Sequence, residues 1–257
     1  MKQWMYAGLL AAAVMPAQAD VLGIYAGGGT FQGSTSGKLG SDPVDLEQDL
    51  GLSDDDSGYQ AYIAFEHPVP ILPNIKVATV SFETDGQGQL GRDFEFGGVI
   101  IPGGATTWTD LDYEHIDVTL YYELWDTGFD LDLGLTARQV KASTAIQYLQ
   151  QVELTLIEGS TQESFDEWMP MVYAAARVDL PLTGLYAAAE FQGTGYSDSS
   201  FLDYQARLGW TLDLVAVDLG LEVGYRVLDL DLDEADVGDL TADINIEGLF
   251  IHGVLHF

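Results

Sequence analysis

One histidine and one carboxylate are spaced for chemistry. His115 and Asp117 are two residues apart, so on a β-strand both side chains lie on one face. A general base oriented by a carboxylate needs such a neighbour. His252 and His256 share a face in the same way. Because no G-x-S-x-G, HExxH or Walker A motif accompanies them, we predict no catalytic residue and no enzyme. A membrane hydrolase with His115 at its rim is the alternative.

Acidic residues near the end of the chain could ligate a hard cation. Asp229, Asp231 and Asp233 alternate, and carboxylate oxygens are the ligands that calcium prefers. An EF-hand loop would need glycine and glutamate where Glu234 and Leu240 stand. We therefore predict no firm metal site and no cofactor. Weak calcium binding at the three aspartates, or loosely bound divalent cations, is the alternative to solvated acidic loops.

The charge balance excludes one class of partner. The chain of 257 residues has 9 Lys+Arg against 41 Asp+Glu, a formal net charge of −32. Such a chain repels phosphates, so it binds no nucleic acid. Its 13 tyrosines, 11 phenylalanines and 5 tryptophans indicate a folded protein, because disordered acidic chains lack aromatics. Without cysteine, it has neither disulfides nor thiolate metal sites.

The first residues have the anatomy of a secretory signal. Lys2 precedes an apolar run, and Ala17-Gln18-Ala19 is a small-x-small cleavage site. We predict a signal peptide over 1–19, export into the periplasm, and one domain over 20–257. The apolar run is too short for a membrane-spanning helix, and no other run is longer.

Period-2 alternation of apolar and polar residues indicates strands throughout the rest of the chain. Ten segments show it: Val21–Phe31, Tyr59–Glu66, Ile75–Phe82, Asp112–Trp125, Phe129–Lys141, Trp168–Leu180, Leu185–Thr194, Phe201–Leu212, Val217–Val227 and Leu249–Phe257.

The connections between these segments alternate in length. Short turns, such as Asp126–Gly128, follow the second, fourth, sixth and eighth segments. Long inserts, including polar Gln32–Ser57 and Ala142–Glu167, lie between the others, and we expect a small hairpin (Phe94–Phe96 against Val99–Ile101) within a third. Sorting of loops by length is typical of outer-membrane barrels. We predict an all-β, antiparallel, up-and-down transmembrane barrel of ten strands (alternative eight), with short periplasmic turns and long acidic extracellular loops.

The predicted inner face of this barrel is charged. A charge facing lipid costs about 2–4 kcal/mol at the midplane, so charged strand residues should face inward. They are either a salt-bridge network that fills the barrel or the lining of a cation conduit. The third segment, Ile75–Phe82, does not show which of its faces is the inner one. If Lys76 faces outward, its ammonium group snorkels to the membrane interface. The predicted network is Glu66, Asp117, Glu123, Asp130, Asp132, Arg138, Arg177, Asp179, Glu190, Asp203, Arg207, Asp218, Glu222 and Arg226.

The last segment resembles the closing strand of bacterial outer-membrane barrels. The resemblance implies that its outward residues and final aromatic, Leu249, Ile251, Leu255 and Phe257, form the signal for the barrel-assembly machinery. Gly253 departs from the pattern, since a bulky residue is usual there. In the segment before it, the alternation breaks phase at Val227–Leu228, as expected where a strand bulges or leaves the membrane.

Three phrases carry a closer resemblance: DLEQDLGL at Asp45–Leu52, YRVLDLDLDEADVGDLTADINIEG at Tyr225–Gly248, and the terminal HGVLHF. The chain is similar to small, uncharacterised outer-membrane barrels of marine Gram-negative bacteria. The resemblance implies an outer-membrane location and a barrel fold. We also expect contact with lipid and lipopolysaccharide, and a monomer. The predicted function is a structural or interaction role or a narrow channel with an acidic lumen, with a porin-like small-molecule or cation conduit as alternative.

Overall fold

The computed structural model describes residues 22–40, 42–52, 56–214, 217–233 and 241–257. The predicted signal peptide 1–19 and the predicted first strand residue, Val21, lie outside the described residues. All regular structure in the described part is β-strand. No helix there is long and apolar enough to cross a membrane.

The described residues contain thirteen strands, of which three short ones are not part of the closed ring: β2 (Val44–Asp45) only extends the sheet beside β1 (Gly23–Leu39), and β5 (Phe94–Phe96) and β6 (Val99–Ile101) pair with each other. The other ten are β1 (Gly23–Leu39), β3 (Asp56–Glu66), β4 (Asn74–Gln89), β7 (Thr106–Asp126), β8 (Phe129–Val152), β9 (Thr155–Asp179), β10 (Leu185–Tyr196), β11 (Ser199–Asp213), β12 (Asp218–Leu232) and β13 (Ala242–His256).

These ten strands form a closed ring. Each pairs antiparallel with the next, and β13 pairs with β1 from Tyr25–His256 to Leu39–Ala242. Beyond that ladder, Ile24 and Phe257 exchange two backbone hydrogen bonds of 3.1 and 3.0 Å. Closure satisfies the backbone groups that an open sheet edge would expose. The predicted ten-stranded antiparallel barrel is confirmed, and the eight-stranded alternative is wrong.

The two ends of the barrel differ in their connections. Four short turns join β3 to β4, β7 to β8, β9 to β10 and β11 to β12, at the end where β1 begins and β13 ends. In the predicted turn Asp126–Gly128, Gly128 has φ of +80°, which glycine adopts without a steric cost. We call this the short-turn end and the opposite one the loop end.

In the short-turn half, apolar side chains point out and polar ones point in. On β13, Leu249 and Ile251 are 61% and 60% exposed, whereas Phe250 and His252 are buried. The same alternation gives the whole barrel an exposed apolar band, with aromatic residues such as Trp210 near its borders. Residues exposed to water would not present such a band, which is typical of strands that face lipid.

In the loop-end half, the two faces exchange character. On β12, Leu228 and Leu232 face inward and are 2% and 7% exposed, whereas Asp229 and Asp231 face outward. The pairing of β12 keeps its register through Val227, so no bulge causes the change. Beyond the apolar band, the outer surface is exposed to water, and the inner surface is the one that buries apolar side chains. Other inward apolar residues of this half are Leu111, Tyr113, Ile244 and Ile246.

The longest hairpin of the barrel lies where a long loop was predicted. β8 and β9 run for 24 and 25 residues and pair without interruption to Val152–Thr155, so the predicted loop Ala142–Glu167 is wrong. Above the apolar band both faces of this hairpin carry polar residues, which removes the alternation from the sequence although the backbone stays extended.

The predicted polar insert Gln32–Ser57 is also wrong in part. β1 continues to Leu39, and the insert then folds back into the mouth of the barrel. Leu46, Leu50 and Leu52 are at most 1% exposed there. The apolar residues of DLEQDLGL therefore belong to a core and not to a solvated loop.

Local hydrogen bonds hold this inserted segment. The Asp45 carboxylate accepts from the backbone N–H groups of Glu47 and Gln48 at 3.1 and 2.9 Å, as a capping aspartate does at a helical turn. The predicted hairpin of β5 and β6 is confirmed, with Phe94 paired to Ile101. The segment and the hairpin together fill one side of the loop-end half with a core that includes Phe82.

Candidate functional site

Two arginines and two aspartates form a closed layer across the lumen, which we call the Arg138 layer. Arg138 donates through Nε and Nη2 to both carboxylate oxygens of Asp117 at 2.7 Å, and through Nη2 to Asp203 at 2.5 Å. Arg226 donates to the two oxygens of Asp203 at 2.9 and 2.5 Å. Two-pronged pairs of this kind are the strong charge-assisted ones. The four formal charges cancel, and none of these side chains is more than 7% exposed.

Two glutamines extend this layer to the barrel wall. Gln60 on β3 accepts from Arg226 at 2.7 Å, and Gln192 on β10 donates to Asp117 at 3.1 Å. The layer thus runs from β3 through β12, β11, β8 and β7 to β10. Side chains from six strands meet in it, which closes the lumen at this height.

The histidine predicted as the best catalytic candidate lies inside this layer. His115 is 1% exposed, and its Nδ1 lies 2.8 Å from the Tyr113 hydroxyl. Its Nε2 lies 3.4 Å from Arg226 and 3.7 Å from Asp117. Both ring nitrogens face protein groups, so no substrate atom can approach them in this arrangement. The geometry favours the hydrogen-bonded filler over a catalytic base.

The same residues contain the one candidate metal cluster of the described part of the chain: ligand atoms of His115, Asp117 and Asp203 lie within 4.8 Å of one another. Their carboxylate oxygens already accept from two guanidinium groups, which a cation would have to displace or repel. These residues therefore do not suit a metal. The weak calcium site predicted at Asp229, Asp231 and Asp233 stays a prediction.

A second charged layer, the Lys76 layer, lies nearer the short-turn end. Lys76 donates to both oxygens of Glu190 at 2.7 and 2.6 Å. Arg207 lies 3.5 Å from Glu190 and 3.1 Å from Glu222, and Tyr186 donates to Glu222 at 2.7 Å. Two cations and two carboxylates again balance.

The structure assigns Lys76 to the inner face, which the sequence had left open, so the conditional snorkelling role does not apply. Lys76 is 8% exposed, whereas its neighbours Ile75 and Val77 are each 38% exposed. The apolar residues on either side were the signal that could have placed it inward. A cation facing the apolar band would be costly.

Below the Lys76 layer, the lumen widens into a vestibule of about 440 Å³ at the short-turn end. There, Tyr121 donates to Glu66 at 2.7 Å, and Arg177 pairs with Asp179 at 2.8 Å. Asp218 lies beside this vestibule, 3.1 Å from His256 Nδ1. The remaining predicted network residues that line it are Glu123, Asp130 and Asp132.

Above the Arg138 layer lies a cavity of about 690 Å³, which we call the loop-end cavity. Its walls are apolar and include Leu228, Leu230 and Ile246. Tyr113 and Phe201 form its floor, where the Arg138 guanidinium lies 5.1 Å from the Phe201 ring centroid. Pockets of roughly 300–1,000 Å³ with apolar walls are typical of small-molecule sites.

Acidic residues and a hairpin border the top of this cavity. The β5–β6 hairpin covers it with Phe96, whose carbonyl accepts from Thr161 on β9 at 3.0 Å. Asp42, Glu95 and Glu163 also line it, and Asp42 lies 3.2 Å from Arg92. Three carboxylates therefore border a largely apolar interior, and Arg92 pairs with one of them.

The sequence located the charged layers but not the cavity. All predicted network residues lie on inward positions or at the short-turn mouth, but the sequence did not show which of them pair with one another, and the predicted network did not include Lys76. The cavity walls carry one sequence signal, the phase break at Val227–Leu228. There the apolar residues move to the inner face.

Comparisons with known proteins bear on the fold. No family model and no curated protein matches the chain. The outer membrane protease OmpT from Escherichia coli matches with a TM-score of 0.50 at 12% identity, over 93% of this chain and 97% of that one. The chain has an outer-membrane β-barrel fold.

Two further structures are similar over most of their length. The toluene transporter TodX of P. putida matches with a TM-score of 0.33 at 9% identity, over 92% of this chain and 89% of that one. A FadL homologue of Pseudomonas aeruginosa matches with a TM-score of 0.32 at 7% identity, over 93% and 90%. At these identities the likeness concerns architecture alone, and activity must be argued from the site.

Proposed function

We propose that this protein is an outer-membrane barrel that binds an apolar small molecule in its loop-end cavity and is closed to ions. The observation that carries the proposal is a largely apolar cavity directly above two charge-balanced layers of side chains that cross the lumen. The short-turn end would face the periplasm and the loop end the exterior. Lipid and lipopolysaccharide would surround a monomer inserted by the barrel-assembly machinery.

The closed lumen rests on the two charged layers. An ion that passed would have to separate buried pairs, and removing one partner from such a pair typically costs about 3–5 kcal/mol. Large side chains add to the obstruction: Tyr173 and Tyr186 are 5% and 3% exposed within the Lys76 layer. These contacts favour a filled barrel over the cation conduit.

The binding role rests on the inverted polarity of the loop-end half. Apolar inner faces there would need a core to cover them, yet the inserted segment Asp45–Leu52 and the β5–β6 hairpin fill only one side. The other side retains the cavity. A water-filled apolar space is unfavourable, so an apolar ligand that fits would bind with a hydrophobic driving force.

Fluorescence of N-phenyl-1-naphthylamine with the protein in phosphatidylcholine nanodiscs tests the binding role. We expect saturable binding to the native chain. Ala142 lines the cavity, so Ala142→Trp should fill part of it and weaken binding by about tenfold or more. Ala206→Trp, on the outward face of β11, is the matched control and should leave binding unchanged. Equal binding by both variants, or no saturable binding to the native chain, would overturn the proposal.

Planar-bilayer recording tests the closed lumen separately. We expect no resolvable current steps from the folded native chain in symmetric potassium chloride. Steady cation-selective steps from such a preparation would contradict a sealed lumen and would favour the conduit.

A further inference from the structure

The wall of the barrel is incomplete between β9 and β10. Their backbone pairing begins at Asp179–Tyr186 and ends at Val172–Gly193. β9 nevertheless extends outward to Thr155, and within the described residues no other strand pairs with that edge. Pro170 stands just beyond the last pair and has no N–H to donate, which is a local reason for the ladder to stop.

This gap begins at the height of the apolar band. Val172 and Trp168 face outward on β9 and are 55% and 58% exposed. Phe191, in the paired part of β10, and Tyr204, on the next strand β11, also face outward, at 39% and 45% exposure. Tryptophan and tyrosine collect where a barrel wall meets the membrane surface. The gap therefore opens toward the outer leaflet as well as above it.

The gap also reaches the loop-end cavity. Farther along the unpaired stretch of β9, beyond the point where β10 ends, three consecutive residues from Glu163 to Phe165 line the cavity. Below them, Met169 and Met171 pack against the apolar core on the inner side of the gap. Methionine side chains are unbranched and adaptable, so they can give way to a passing apolar molecule. From above, the β5–β6 hairpin covers the same cavity.

We infer that the loop-end cavity takes up its ligand sideways, from the outer leaflet, through the gap between β9 and β10. The ligand class is an apolar molecule with a neutral or cationic head. An anionic head would meet the carboxylates of Glu95 and Glu163, and juxtaposed like charges are unfavourable. This inference rests on the proposed binding function.

A removable bridge across the gap tests the route. Continuing the register beyond Val172–Gly193 would place Pro170 opposite Gly195, both on the outer face. A Cβ at Gly195 would have its nearest heavy atom 3.6 Å away, so Pro170→Cys with Gly195→Cys should be tolerated. The chain has no cysteine of its own, so a bis-maleimide with a cleavable spacer alkylates and bridges this pair alone. Ala189→Cys with Ala206→Cys, opposite each other across the continuous β10–β11 seam, is the matched control.

The measurement is the rate at which N-phenyl-1-naphthylamine, preloaded into phosphatidylcholine nanodiscs, reaches the cavity. Bridging the gap should slow uptake by about tenfold or more, and cleavage of the bridge should restore it, while the equilibrium dissociation constant stays within about twofold. The bridged control pair should keep the native rate. Unchanged uptake with intact binding would overturn the lateral route and indicate access from water. Absence of saturable binding in every variant would instead overturn the binding function itself.

Competition tests the head group. Dodecylamine and dodecanoic acid share an apolar chain and differ in charge at neutral pH. We expect dodecylamine to displace the probe at a concentration at least about tenfold lower. Glu95→Gln with Glu163→Gln should shrink this difference. Equal competition by the two compounds, or stronger competition by the acid, would overturn the assignment of the head.

Discussion

Asp203→Ala would leave two arginines facing each other in the Arg138 layer. Asp203 accepts from Arg138 at 2.5 Å and from Arg226 at 2.9 and 2.5 Å, and its side chain is 3% exposed. Its removal changes the formal charge of the layer from zero to +1 where water cannot compensate. Removing one partner of a buried pair costs about 3–5 kcal/mol, so we expect a loss of this size in the free energy of unfolding.

Asp179→Ala is the matched control for this prediction. Asp179 also pairs with an arginine, Arg177, at 2.8 Å, but the two side chains are 46% and 35% exposed. Solvent screens such a pair, and its loss should cost about 0–1 kcal/mol. Both variants are measured by urea unfolding in phospholipid vesicles, followed by tryptophan fluorescence.

A double variant separates the charge imbalance from the loss of packing. Asp203→Ala with Arg226→Met returns the layer to zero charge, since Asp117 and Arg138 still form their two-pronged pair. We expect the double variant to be more stable than Asp203→Ala alone, because the uncompensated charge is gone. The reasoning is refuted if Asp203→Ala costs no more than Asp179→Ala, or if the double variant loses the sum of its two single variants.

Three further predictions use the same unfolding measurement. Lys76→Met leaves Arg207 to balance both buried carboxylates of the Lys76 layer, Glu190 and Glu222, and should cost about 3–5 kcal/mol. Exposed Lys141→Met should change stability by no more than about 0.5 kcal/mol, and equal effects of the two variants would show that the Lys76 layer contributes little. Leu46→Ala should cost about 2–5 kcal/mol through a cavity in the inserted segment, and a loss below about 1 kcal/mol would mean that this segment is not core. Gly29→Ala would push a Cβ into a backbone carbonyl of β13 at the closing seam and should cost about 1–3 kcal/mol. At Gly253 a Cβ would meet no heavy atom within 4 Å, so Gly253→Ala should be neutral. A larger loss of stability for Gly253→Ala than for Gly29→Ala would contradict the packing of that seam.

Much of the barrel could be predicted because the short-turn half obeys one local rule. Lipid outside and a polar lumen inside force strict alternation, which sets strand count and side-chain direction from neighbouring residues alone. Ile116 and Asp117 show it: adjacent in sequence, one is 37% exposed and the other 1%. The charged residues assigned to the lumen follow from the same rule.

The partners of those charges could not be predicted. Lys76 and Glu190 are 114 positions apart and meet across the lumen because β4 and β10 lie at facing parts of the ring. Alternation predicts which face of the strand a side chain lies on. It does not predict the height of that side chain in the closed barrel, or which side chain of the opposite wall it contacts. The contacts of His115 could not be predicted for the same reason, since only the closed ring places Arg226 against one ring nitrogen while Tyr113 contacts the other.

The sequence by itself determined the alternating strands, the sorted turns and the inward charges, because each depends on neighbours along the chain. Only the tertiary structure decided at which heights charged side chains meet across the lumen and where a cavity remains. Above the apolar band, water lies outside and the inserted Asp45–Leu52 covers one side within, so Leu228 and Ile246 turn inward toward the cavity. The direction of these side chains depends on which face of each strand is shielded from water. That shielding exists only once the barrel has closed.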